Sequence, residues 1–250
     1  MCGRFILTAA PEALKAMFGY PEQPNFPPRY NVAPGQPIAI VRLNEGRRQF
    51  ALARWGLLPS WVKDPKAFTL QINARGESVC DKPAFSAAMK RRRCLIPADG
   101  FYEWQAAGAR KIPYCVRTRM GAPFAFAGLW ETWTGPNGEE LDTAAIVTTT
   151  ANAALAGIHE RMPVIVPPEA FDLWLNCAAV DARTASTLIA PAPEDLLEAH
   201  EVSTAVNRVA NDDPALVERL PPEAVQAASV PAPKGGRAPK ERDDGQGVLF

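Results

Sequence analysis

The chain has 250 residues, 47% of them hydrophobic, with 27 basic and 27 acidic side chains and a formal net charge of zero. That length and apolar content allow one large domain or two small ones with a substantial core, and the charge balance excludes a wholly non-specific basic nucleic-acid binder, so any such role must rest on local clusters. Five cysteines, none in a Cys-x-x-Cys pair, make a zinc ribbon or dithiol redox motif unlikely, the start lacks a basic segment followed by an apolar run, and no apolar stretch is long enough to span a membrane, so a soluble protein of the reducing cytoplasm is expected.

The chain opens Met1-Cys2-Gly3-Arg4-Phe5. The side chain of Cys2 is small, so removal of Met1 is expected, leaving an α-amine and a thiol on one residue. A terminal amine titrates near ~8 and a free thiol near ~8.5. Such a 1,2-aminothiol can capture an aldehyde as a Schiff base. The neighbouring thiol then closes a five-membered thiazolidine, aided by effective molarities of roughly 10⁵–10⁸ M. Taken alone, a cysteine at position 2 reads more readily as an accident of the translation start.

Residues 2–7 read as a short strand. Thr8 is a candidate cap for a helix from Pro11 to Phe18, with Leu14, Met17 and Phe18 facing the core. The proline-rich segment from Pro21 to Pro37 excludes regular helix and suits either a stiff loop around a site or a plain connector. Pro37–Arg42 and Gln49–Trp55 read as a hairpin joined through residues 44–47. Trp55 and Trp61 flank the loop that follows and offer either core packing or an aromatic platform for a base.

Asn73, Arg75, Glu77 and Ser78 crowd donors and acceptors into six residues. Arg75 suits a phosphate, or else a salt bridge with Glu77. A helix is expected from Pro83 to Arg91, ending in the basic run Lys90-Arg91-Arg92-Arg93, and a buried strand from Cys94 to Pro97. Phe101–Gln105 alternates as a strand with Glu103 among three aromatics. On the core side that carboxyl would be pushed into an acid–base range, and on the other face it would be ordinary. Strands follow at Ile112–Thr118, Phe124–Trp130 and Leu141–Thr149, with a turn at residues 134–138. His159, one of two histidines, is an acid–base candidate or a structural residue. Helices are expected at Pro167–Asn176 and Ala182–Ala190 and a strand at Glu198–Val206. The composition from residue 221 to 250 predicts a disordered tail. The pattern predicts an α+β fold, antiparallel sheets with peripheral helices, in one domain over residues 2–220. No metal-ligand spacing and no cofactor motif is present.

Seven blocks in order carry a resemblance. They are residues 1–5, Arg29–Pro34, Trp55–Leu57, Ile72–Glu77, Arg93–Pro97, Gly100–Trp104 and His159–Pro163. Together they resemble the SRAP (SOS-response-associated peptidase) family, from residue 2 to about Asn211. The resemblance implies a barrel-like core and a protein that senses abasic sites in single-stranded DNA and crosslinks to them, protecting the lesion. It implies Cys2 as nucleophile once Met1 is removed, autocatalytically or by an aminopeptidase. Asn73 would hold the amine and sugar, Glu103 would be the acid–base group, and His159 would assist proton transfer and reversal. Arg4, Arg75 and Arg161 would bind phosphates, and Pro34, Trp55 and Trp61 would flank the lesion. The alternative is a cysteine-type peptidase using Cys2 with His159 and Asn73. The implied protein is a monomer that associates with the nucleoid when DNA-bound. The end of the chain, Gln246-Gly247-Val248-Leu249-Phe250, resembles the peptide by which bacterial repair proteins dock on the replication sliding clamp.

Overall fold

A computed structural model describes residues 2–221, and the expected disordered tail and the clamp-like peptide at Gln246, Leu249 and Phe250 lie outside the described residues. Residues through Arg219 form one compact unit. The described strands are β1 (Phe5–Leu7), β2 (Arg29–Val32), β3 (Pro37–Asn44), β4 (Arg47–Trp55), β5 (Asn73–Arg75), β6 (Arg93–Ala98), β7 (Gly100–Ala107), β8 (Arg110–Thr118), β9 (Phe124–Thr134), β10 (Glu140–Thr150), β11 (Arg161–Pro163), β12 (Ile165–Val166) and β13 (Leu197–Glu201). The helices are short: α1 (Pro11–Phe18), α2 (Ser86–Arg91), α3 (Ala153–Ala156), α4 (Phe171–Leu175) and α5 (Ala182–Ser186).

Strands β4, β3, β6, β9 and β10 hydrogen-bond in that order, and β10 returns to β4, so the five close into a barrel. The fold is α+β with a barrel core, as expected. One detail differs from an all-antiparallel reading: β10 meets both β4 and β5 in parallel. Full closure removes the free edges that an open sheet would expose. The β3–β4 hairpin turns through Glu45 and Gly46, both at positive φ (49° and 76°), the geometry that matches strand twist in a two-residue turn.

A second sheet, ordered β13-β8-β7-β1-β2, packs its β1 and β7 side chains on the barrel. Phe5 meets Trp55 edge-on at 5.2 Å between ring centroids and Phe126 at 5.9 Å. Phe101 meets Phe126 at 5.9 Å. These contacts fix the start of the chain against the barrel.

Several boundaries moved for local reasons. Thr8 does not cap α1; its backbone N–H and hydroxyl bind the Asp99 carboxylate instead, and the N-cap is Ala10. The expected 167–176 helix starts as a 3₁₀ turn at Pro168–Ala170 and runs on as α-helix over Phe171–Leu175. The late strand stops at Glu201, and Ser203 caps a 3₁₀ turn over Thr204–Asn207. The basic run at the end of α2 is half consumed internally. Arg93 is buried and donates to the carbonyls of Trp174, Met89, Asn176 and Val180, while Arg92 pairs with Glu131.

Candidate active site at the start of the chain

Cys2 enters from β1 and is fully buried. Its thiol donates weakly to the carbonyl of Arg4 at 3.8 Å, and that carbonyl also accepts from the backbone N–H of Tyr102 at 3.0 Å. The pairing of Phe5 with Phe101 therefore extends backwards and lays Cys2 alongside the β7 residues beyond Tyr102. Glu103 is next in β7. It shares the barrel-facing side of the strand with Phe101 and is 4% exposed. The alternation that left its face open in the sequence is resolved toward the core.

Burial pushes the Glu103 carboxyl above the ordinary carboxylate range. Burial, and secondarily the negative charge of Glu103, push the Cys2 thiol well above its ordinary range. That coupling places the two groups within electrostatic reach of each other. At neutral pH the Cys2 sulfur is therefore a thiol, not a thiolate.

Asn73 reaches the same residue from the other side. β5 runs parallel to β10, with Asn73 beside Ile146 and Arg75 beside Thr148. The Asn73 amide donates to the Cys2 carbonyl at 2.8 Å. Its Oδ1 is buried with no partner among the described residues.

His159 lies in the turn between α3 and β11. Its Nδ1 accepts from the backbone N–H of Arg161 at 2.9 Å, so Nε2 carries the proton in the neutral ring. Burial lowers its pKa. Gln105, two residues past Glu103, donates to the carbonyl of Gly157 at 2.8 Å and ties this turn to β7. Cys2, Asn73 and Glu103 are thus gathered directly, and His159 lies in the turn that Gln105 ties to β7.

The expected phosphate ligands divide. Arg75 is exposed, and its guanidinium makes no hydrogen bond among the described residues. Arg161 forms a two-pronged pair with Glu77 (2.5 and 2.9 Å) and also donates to the Thr148 carbonyl at 2.8 Å. The salt bridge of Glu77 is thus with Arg161 rather than Arg75, and it holds the Glu77 carboxyl below its usual range. Arg4 is turned inward. It donates to Asn31 Oδ1 at 2.8 Å and to the carbonyls of Val206 and Asn207 at 2.7 and 3.3 Å, so three of its five N–H donors are spent on internal contacts.

The flanking aromatics also divide. Trp55 is corrected: it is fully buried, packs on Phe5 and donates from Nε1 to the Ile72 carbonyl, so no base can reach it. Trp61 is 59% exposed and meets Phe68 edge-on at 5.8 Å. Pro34 is exposed beside Gly35, whose φ of 85° makes the turn. Asn31 and Glu77 were missed as functional candidates. Both stood inside singled-out blocks, but only the fold reveals their partners. Among the described residues no cluster of three or more His, Cys, Asp or Glu side chains could hold a metal, and no helix is long and apolar enough to cross a membrane.

Residues 1–209 match the family model described as SOS response associated peptidase (SRAP). The abasic site processing protein YoqW of Bacillus subtilis is 39% identical over 222 residues, covering 87% of this chain and 99% of that protein. The abasic site processing protein HMCES of Gallus gallus is 32% identical, covering 86% of this chain and 76% of that protein. The crystal structure of a protein from Bacteroides thetaiotaomicron superposes with a TM-score of 0.79 at 26% identity, covering 88% of this chain and all of that one. On the family match across most of its length and on these relatives, the chain belongs to the SRAP family.

Proposed function

We propose that this protein processes abasic sites in single-stranded DNA by forming a covalent thiazolidine through Cys2 after Met1 is removed. The observation that carries the reading is the meeting of Cys2 with Glu103 and Asn73 in one buried site. The freed α-amine adds to the aldehyde carbon of the ring-opened sugar, and the adduct loses water to give an imine. The Cys2 sulfur then adds to the imine carbon, and its proton passes to the nitrogen. One C–N and one C–S bond form, and the carbonyl oxygen leaves as water. Glu103, whose carboxyl burial pushes above the ordinary range, donates during ring opening and dehydration and recovers the proton afterwards. His159 assists proton transfer, including the reverse reaction. Arg75 and Arg161 hold phosphates, with Trp61 and Pro34 beside the lesion.

A peptidase acting in trans would need a thiolate. The burial and the Glu103 charge that raise the Cys2 thiol oppose one, whereas imine formation begins at the amine. Removal of Met1, by the protein itself or by an aminopeptidase, is part of the proposal, as are a cytoplasmic, nucleoid-associated monomer and docking on the sliding clamp through Gln246, Leu249 and Phe250. The crosslink is tested by incubating the protein with an abasic oligonucleotide and running a denaturing gel. A shifted band is expected with wild type and none with Cys2→Ala; equal yields from both would refute it. Deleting Leu249 and Phe250 should abolish clamp binding and leave the shifted band unchanged; an intact protein that does not bind the clamp refutes the docking.

A further inference from the structure

β2 is the outer strand of the second sheet, so one side of it has no strand partner. Asp212 covers that side. Its Oδ1 accepts from the backbone N–H groups of Tyr30 and Asn31, at 2.5 and 3.1 Å, and its Oδ2 accepts from Arg29 Nε at 2.6 Å. One step inward, the Asn31 side chain is fully buried. Its amide donates to the carbonyls of Val206, Arg208 and Asn211, at 3.2, 3.2 and 2.8 Å. Its oxygen accepts from Arg4 Nη1, which also reaches Val206.

The chain of contacts runs Asp212, Asn31, Arg4, Cys2. The Asn31 backbone N–H donates to Asp212, the Arg4 guanidinium donates to the Asn31 side chain, and the Cys2 thiol donates to the Arg4 carbonyl. Arg4 is two residues from Cys2, and its carbonyl receives the Cys2 thiol. The start of the chain is thus held at two points: by Asn73 at the Cys2 carbonyl, and by this clasp at Arg4. Asp212 lies beyond the residues matched by the family model, which end at 209.

We propose that Asp212 is a positioning residue: by accepting from the β2 edge it holds Asn31 and Arg4 in register and so fixes the Cys2 aminothiol for attack. The inference rests on the crosslinking function proposed above. A displaced nucleophile slows the chemical step without weakening substrate binding, and a shift of about 1 Å can cost up to ~100-fold. Asp212 is a surface residue, so its loss leaves the core intact.

The test uses the full chain with Met1 removed, assayed well below its melting temperature. At saturating abasic oligonucleotide, Asp212→Ala should crosslink about tenfold more slowly. Its affinity for an oligonucleotide carrying a tetrahydrofuran site, which has no aldehyde, should match wild type. The same slowing should appear when Cys2 condenses with glyoxylate, followed by intact mass, which needs no DNA. Asp212→Asn keeps the acceptor for Tyr30 and Asn31 and should restore most of the rate, and Arg29→Met should retain it. Asp212→Ala reacting at the wild-type rate in both assays would overturn the proposal. So would weakened binding as the sole change, or an Asp212→Asn variant as slow as the alanine. If wild type condenses with glyoxylate but not with the abasic oligonucleotide, the DNA function fails while the positioning role is still read from the small aldehyde; wild type inert to both overturns the two together.

Discussion

The side-chain amide of Asn73 donates to the backbone carbonyl of Cys2 at 2.8 Å, joining residues 71 apart in sequence. The contact exists because β5 is laid parallel along β10 while β1 is pinned between β2 and β7. In the proposed chemistry it anchors the residue whose amine and thiol must reach one carbon atom. In that chemistry the Oδ1 of Asn73, unpartnered among the described residues, accepts from the freed amine. Asn73→Ala should slow crosslinking by about 10–100-fold. One hydrogen bond at a half-buried site contributes about 1 kcal/mol to stability, so the melting temperature should change little. Quenched time courses on denaturing gels, with thermal melts alongside, check both halves.

Glu103 carries a pH signature in stability as well as in chemistry. Its folded-state pKa lies above the unfolded value because burial disfavours the charge. The folded protein therefore binds the proton more tightly, and stability falls as pH rises from the unfolded toward the folded pKa. Above the folded pKa the full penalty of a buried carboxylate remains. Glu103→Gln removes that penalty, so its melting temperature should gain on wild type as pH rises from about 4 to about 8. Its crosslinking should be slower throughout. Melting curves of both proteins across that range check the sign, and a gap that narrows with rising pH would contradict it.

The two tryptophans of the Trp55–Trp61 loop should separate cleanly. Trp55 is fully buried against Phe5 and the barrel, so Trp55→Ala should destabilise by about 3–5 kcal/mol. Trp61 is mostly exposed, so Trp61→Ala should leave stability within about 0.5 kcal/mol. If a base stacks on it, the substitution should cost about 1–3 kcal/mol of single-stranded DNA affinity. Denaturant unfolding and fluorescence-anisotropy titration read the two effects independently.

The sequence made the fold legible where local pattern decides. Alternation located β7, apolar runs located β8, β9 and β10, and the Gly135-Pro136-Asn137-Gly138 turn separated the last two. The barrel's closure was not legible, because a parallel contact between β10 and β4, with residue 55 facing residue 144, leaves no local mark. The same limit applied to the site. Residue types flagged Cys2, Asn73, Glu103 and His159, but the face of Glu103 depended on which sheet side met the barrel. Charge alone could not show that Arg4 spends donors on Asn31 and the 206–207 loop, and aromaticity alone misjudged Trp55. Asn31 stayed hidden because its partners sit about 175 residues away.

The opening Cys2 is meaningful only if it becomes the first residue, and intact mass of the purified protein before and after incubation with an abasic oligonucleotide tests this most directly. The predicted result is a protein lacking Met1 that gains the mass of the oligonucleotide less one water, with the adduct absent in Cys2→Ala. A protein that retains Met1 yet forms the adduct, or one that lacks Met1 and gains no mass, would contradict the thiazolidine chemistry.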